Sequence, residues 1–136
     1  MKEETKLKKW SLTDWKNECW KWASIYNRRK DLKGGDNGRC CTCGKFICWK
    51  DGDAGHFQGG RGNSVLFYDR GIHLQCKECN GCKSGEQDLY GEYIEKRYGR
   101  EEKLYQRKVR YKTKKYSKQD FIKLIADYKE KINKLN

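Results

Sequence analysis

Four cysteines and one histidine carry most of the chemistry this sequence can offer. Cys40 and Cys43 form one Cys-x-x-Cys knuckle, and Cys76 and Cys79 form a second. Two such knuckles give zinc its tetrahedron of thiolates, at about 2.3 Å each, one pair from each turn of backbone. A site closed by four protein ligands has no open position, so this zinc would hold structure and could not activate water. Between the knuckles lies Asp53-Ala54-Gly55-His56, and the second knuckle runs straight into Asn80. An imidazole titrates near neutral pH and can take a proton from water. The carboxamide oxygen of Asn80 suits a hard cation such as magnesium or manganese. That second cation would act as a Lewis acid on a phosphodiester. Arg61, in the loop Gln58–Asn63, would add positive charge to the phosphate.

The metal register has a rival, because Cys41 adjoins Cys40 and Cys82 follows Cys79 at the same spacing. We read 40/43 with 76/79, which leaves Cys41, Cys48 and Cys82 as spare thiols. A redox Cys-x-x-Cys pair is the other use of such spacing, but nothing here resembles a thioredoxin βαβ pattern.

Composition sets the frame for these residues. A chain of 136 residues supports one compact domain with room for a helical appendage. Hydrophobic residues make up only 35%, too few for a large core, so a metal staple is expected. Eight cysteines would also fit a secreted disulfide scaffold. The opening Met1-Lys2-Glu3-Glu4-Thr5-Lys6 has no apolar run of the kind a secretory leader needs. A reducing cytosol with bound zinc is therefore the expectation. No stretch approaches the roughly 18 apolar residues of a membrane span. Thirty-two Lys and Arg against nineteen Asp and Glu leave a net charge of +13. Such an excess points to a polyanionic partner, and nucleic acid is the usual one.

The elements that must position the site follow from local pattern. Residues 1–10 read as a frayed basic N-terminus. Ser11 with Asp14 three residues on is a helix start, and Trp15, Cys19, Trp22 and Tyr26 continue it as one apolar stripe to about Arg29. Trp10 and Trp20 fall off that stripe and are left to cover a core edge or meet a partner. Gly34–Gly38 reads as a loop feeding the first knuckle. Phe46–Trp49 and Asp53–Phe57 read as a hairpin turning at Asp51-Gly52, with Val65–Tyr68 a short extended piece. A helix is expected over Lys77–Ser84 and another over Gln87–Arg97. Ser117 and Asp120 repeat the capping signal before a last helix whose stripe is Phe121, Ile125, Tyr128, Ile132 and Leu135. That stripe is core or a contact between copies. From Lys96 to Lys118 basic residues face only Glu101 and Glu102, with Tyr98, Tyr105, Tyr111 and Tyr116 interleaved. A solvated face is the plain account of that run. Basic residues alternating with aromatics also describe a phosphate-tracking, base-stacking surface, for which Lys103, Arg107, Lys108, Arg110, Lys112, Lys114 and Lys115 are the candidates.

Three segments together resemble the phage NinG/Rap family of recombination endonucleases, which is similar to the HNH nucleases. They are Cys40-Cys41-Thr42-Cys43-Gly44, Asp53-Ala54-Gly55-His56-Phe57 and His73-Leu74-Gln75-Cys76-Lys77-Glu78-Cys79-Asn80. The likeness runs from about Trp15 to Gly99 and leaves out the basic tail. It implies a small α+β fold, a zinc-stapled ββα-metal (HNH-like) core flanked by N- and C-terminal helices. The nuclease domain would span 11–99 and a basic helical extension 100–136. The resemblance also implies a divalent-metal-dependent endonuclease acting on Holliday junctions and other branched DNA in the cytosol of the phage's host. His56 would be its general base and Asn80 its magnesium or manganese ligand. Asp53 would support the site, through a water or by bracing. Two departures stand out: the asparagine that commonly braces the histidine strand is Gly71 here, and the usual last histidine is Asn80. His73 recurs in the likeness, with hydrogen bonding to the site and packing beside the zinc equally open to it. Resolving a four-way junction needs two cuts, so a homodimer is expected. The competing reading from another class is a zinc-ribbon DNA-binding protein without activity, which leaves Asp53, His56 and Asn80 unused. A nicking, flap or RNA-cleaving nuclease would carry the same motif.

Overall fold

The computed structural model describes residues 9–59 and 62–135. The expected frayed N-terminus lies, up to residue 8, outside the described residues, and so does Arg61. Helix α1 covers Leu12–Arg29 and opens on a capping box, with the Ser11 side chain on Asp14 N and the Asp14 side chain on Ser11 N. The last helix, α4, covers Lys118–Leu135, and Ser117 and Asp120 cap it in the same reciprocal way. Trp15, Cys19 and Ala23 of α1 pack on Phe121, Ile125 and Tyr128 of α4 as one buried cluster. Tyr26 meets Tyr128, and Lys118 lies over Trp15 at the opposite end, so the two helices run in the same direction. The terminal stripes thus satisfy each other within one chain, and the 100–136 segment packs back onto the start of the domain. Little of either stripe is left for a second copy.

Two small antiparallel sheets occupy the middle. Strand β1 (Asn37–Arg39) pairs with β2 (Phe46–Cys48), and β3 (Asp53–His56) pairs with β4 (Ile72–Gln75). The expected hairpin of Phe46–Trp49 with Asp53–Phe57 does not form. The first knuckle is itself the hairpin turn: Cys40 N donates to Lys45 O, Gly44 N to Cys40 O, and Gly44 takes a positive φ of 78°. The strand before the knuckle is therefore the natural partner of β2, and the residues read as loop supply it. Val65–Tyr68 is not extended either. Linked turns shape it, with Leu66 N on Asn63 O and Tyr68 N on Val65 O. Its β-rich composition yields to packing, which buries Val65 and sets Phe67 against the α1–α4 core.

After β4 the chain makes a single π-helical turn, Glu78–Cys82, in place of the longer helix expected to Ser84. Positive φ at Ser84, Gly85 and Glu86 ends it. Helices α2 (Gln87–Tyr98) and α3 (Arg100–Val109) follow, and Tyr90 and Ile94 of α2 bury Phe57 in a second apolar cluster. No two-stranded sheet of this size is stable alone; here the helices and the cysteine cluster hold both. Lys30 ties the end of α1 to the loop before β4, donating to Asn27 Oδ1, Asp69 O and Ile72 O at 2.6–2.7 Å. Burial pulls its ammonium down to about 8 despite the carboxylates of Asp69 and Asp31.

Candidate metal centre and histidine cleft

The turn between β1 and β2 carries Cys40 and Cys43, the end of β4 delivers Cys76, and the π turn delivers Cys79. Their four sulfurs lie within 4.8 Å of one another, and Cys43 Sγ is 3.8 Å from Cys76 Sγ. Four ligands at about 2.3 Å from one zinc would stand about 3.8 Å apart, so the cluster has the dimensions of a tetrahedral thiolate site. Cys40, Cys76 and Cys79 are buried and Cys43 is exposed. Burial resists ionisation of Cys40, but N–H groups and the Thr42 hydroxyl aimed at its sulfur bring it down to about 6. The donor set fits zinc, in the 40/43/76/79 register. Cys41 turns instead toward the Phe57–Tyr90 cluster.

Beside this centre lies a cleft of about 910 Å³, lined by His56, Asp53, Asn80, Trp20, Arg28, Lys16 and Lys77 among others. His56 Nε2 is 3.0 Å from Leu66 O. A carbonyl can only accept, so Nε2 holds the proton and Nδ1 keeps its lone pair. No described residue takes that lone pair. Trp20 lies flat against the imidazole, with ring centroids 4.9 Å apart and 22° between planes. The stack and the Leu66 bond fix both the plane and the rotation of the ring. Burial holds His56 below the ordinary imidazole range, against the bond to Leu66, so it is neutral at pH 7. Asp53 accepts from Lys77 Nζ at 2.7 Å and from Asn80 Nδ2 at 3.1 Å. Burial opposes its charge, but those two donors outweigh burial and keep the carboxyl below its usual range. Asn80 thus turns its amide nitrogen to Asp53 and leaves its Oδ1 as a hard oxygen donor.

The backbone behind the histidine is braced without the missing asparagine. Tyr90 OH donates to Gly55 O at 2.6 Å, and Phe57 N donates to Gly71 O at 2.8 Å. A Cβ at Gly71 would sit 2.5 Å from Gln106 Oε1, so the buried Gln106 side chain would have to shift. Gly55 is glycine for a similar reason: a Cβ would overlap Gln75 Oε1. Gln75 in turn donates to Thr42 Oγ1 and Gly85 O, so one buried amide links the histidine strand to the first knuckle and the π turn.

Not every candidate arrives at the cleft. His73 is 1% exposed and sits away from it, bonded to Arg70 O and surrounded by Tyr90, Tyr93 and Tyr98. Its Nδ1 faces Asp31 at 3.5 Å. It lines a smaller cavity that Cys40 and Cys41 also line. In the basic run, Lys103 pairs with Glu95, Arg107 lies over Phe57, and Arg110 donates to Gln58 Oε1. These three are engaged in holding α3 in place, while Lys108, Lys112, Lys114 and Lys115 are exposed. Sequence reading missed Trp20 and Arg28. Arg28 donates to Ser24 and to Trp49 O and stacks on the Trp49 ring, which gives the cleft a pinned cation. The signal for Trp20 was present, since it is a large aromatic off the core stripe.

Fold and site together define a small α+β protein built around a four-cysteine cluster that could hold a metal ion, with a histidine held in a basic cleft beside it. A family profile described as Bacteriophage Lambda NinG protein matches residues 1–136, and the chain belongs to that family. Neither the curated proteins nor the solved structures gave a match. Among the described residues, no helix is long and apolar enough to cross a membrane.

Proposed function

We propose that this phage protein is a divalent-metal-dependent DNA endonuclease acting on branched recombination intermediates. The observation that carries the reading is the bond of His56 Nε2 to Leu66 O: it commits the ring proton and leaves the Nδ1 lone pair with no described partner, on a residue that lines the cleft with Asp53 and Asn80. A neutral imidazole locked in that way takes a proton from a water attacking a phosphodiester. Trp20 and Leu66 keep the ring aimed, and Arg28, Lys16 and Lys77 attract and orient the phosphate backbone. A magnesium or manganese ion, held by Asn80 and supported by Asp53, would supply the charge that the phosphate and the leaving 3′ oxygen need. The hard oxygens of these two residues fit such an ion. The preference for branched DNA, and a homodimer making two cuts, rest on the resemblance of the three motifs.

One observation favours a second reading, a zinc-stapled DNA-binding protein without activity. Lys77 already neutralises the Asp53 carboxylate, as it would in a site that never holds a cation. Incubating labelled four-way-junction and matched linear duplex DNA with the zinc-loaded protein, in magnesium and with no further divalent metal, separates these readings. Magnesium-dependent cutting of the junction alone is the expected result. Equal cutting of both substrates removes the branched-DNA preference, and tight binding without cutting in magnesium or manganese selects the second reading.

A further inference from the structure

Lys16 belongs to two cavities. It lines the His56 cleft and also a neighbouring groove of about 500 Å³. One wall of that groove is the first turn of α1, with Thr13 and Lys16, and the other is the chain from Thr113 to Tyr116. The second wall is clamped in place. Asn63 forms a bridge with Thr113, Lys114 N donates to Gly62 O at 2.6 Å, and Lys16 Nζ donates to Asn63 Oδ1 at 3.2 Å. A Cβ on Gly62 would come within 2.6 Å of Lys112 O, so the seam between the two loops is tight.

The charge in this groove is unspent. Lys114 and Lys115 are exposed, and among the described residues no carboxylate pairs with Lys16, Lys114 or Lys115. The acids next along the chain, Asp14 and Asp120, are used as helix caps. Tyr111, 78% exposed with Arg110 stacked on it, stands just before this segment in the chain. A fixed groove whose three ammonium groups pair with no carboxylate, Lys16 bonding only the neutral Asn63 and Lys114 lying over the Tyr116 ring, is continuous through Lys16 with the histidine cleft and suits a sugar–phosphate chain that occupies both.

We propose that this groove seats the backbone of a DNA strand running out of the His56 cleft, with Lys16 at the join and Lys114 and Lys115 on its phosphates. The inference rests on DNA being the substrate, but not on its being cut. Binding is therefore measured without added magnesium or manganese on the zinc-loaded His56→Ala protein, with a labelled four-way junction, over a range of salt. Adding Lys114→Gln and Lys115→Gln is expected to weaken binding at least about tenfold at 0.1 M salt and to lower the slope of log K against log salt by about 1.8, the release expected from two phosphates. Adding Lys123→Gln and Lys129→Gln on α4 is expected to leave the slope unchanged. Zinc content and circular dichroism identify any variant that failed to fold. An unchanged slope in the folded groove variant overturns the proposal, and a change seen on duplex RNA but not on DNA overturns the assignment to DNA. A slope change in a protein that never cuts keeps the groove and discards the nuclease.

Discussion

Replacing Gly55 by alanine tests whether the histidine strand is keyed to the metal centre through Gln75. Gly55 has no positive φ, so the only obstacle to a methyl group is what surrounds it. The methyl would overlap Gln75 Oε1 and approach Gln75 Cδ to 3.0 Å. Gln75 is 0% exposed and cannot swing aside without losing its bonds to Thr42 Oγ1 and Gly85 O. Overpacking costs about 1–3 kcal/mol, and each lost hydrogen bond costs about 0.5–1.5 kcal/mol. The narrower unfolded ensemble of alanine offsets about 0.4–1 kcal/mol of this. The expected net loss is about 1–5.5 kcal/mol, a large share of a small domain's stability. Urea unfolding of the zinc-loaded protein measures it. Removing the obstacle in Gly55→Ala/Gln75→Ala is expected to make the double variant about 1–3 kcal/mol more stable than the sum of the two single losses. Additivity within about 0.5 kcal/mol, or a Gly55→Ala loss below that figure, would refute the keying.

Trp20→Leu removes the flat face against His56 and leaves only the Leu66 bond to aim the ring; junction cleavage is expected to fall about 10–100-fold with zinc content and DNA affinity unchanged. Cys79→Ser opens the closed thiolate site, and the chain is expected to lose its cooperative unfolding transition, as is the wild type once a strong chelator strips the metal. Both histidines are held by burial below the usual imidazole value near 6.5. The unfolded chain therefore takes protons that the folded one refuses. Stability is expected to be full above roughly pH 6.5 and to fall as pH drops from there toward the lower folded values. His73→Gln is expected to flatten that fall, which urea midpoints at several pH values would show.

What could be read from the sequence was what neighbours along the chain decide. Knuckle spacing located the four sulfurs, and the Ser-x-x-Asp pairs at Ser11 and Ser117 located two helix starts, because each depends on one turn of backbone. The pairing of β2 was misread because the first knuckle looks like a metal loop and is also a hairpin turn. Trp20 could be seen as displaced from its stripe, but its partner His56 arrives from another element, and no local pattern records that meeting. Lys103, Arg107 and Arg110 look like the lysines around them; only the presence of Glu95, Phe57 and Gln58 makes them structural. Lys30 was invisible for the same reason, since a lysine is expected outside and two of its three oxygen partners, Asp69 O and Ile72 O, come from far along the chain.

The central claim is that zinc and chemistry are divided, the four cysteines holding the fold and His56 activating water. Zinc content and single-turnover cleavage of a four-way junction in magnesium, measured side by side on wild type and His56→Ala, test it most directly. The account predicts equal zinc in both proteins, with cleavage about 10²–10⁴-fold slower in the variant. Wild-type cutting by His56→Ala, or loss of its zinc, would contradict it.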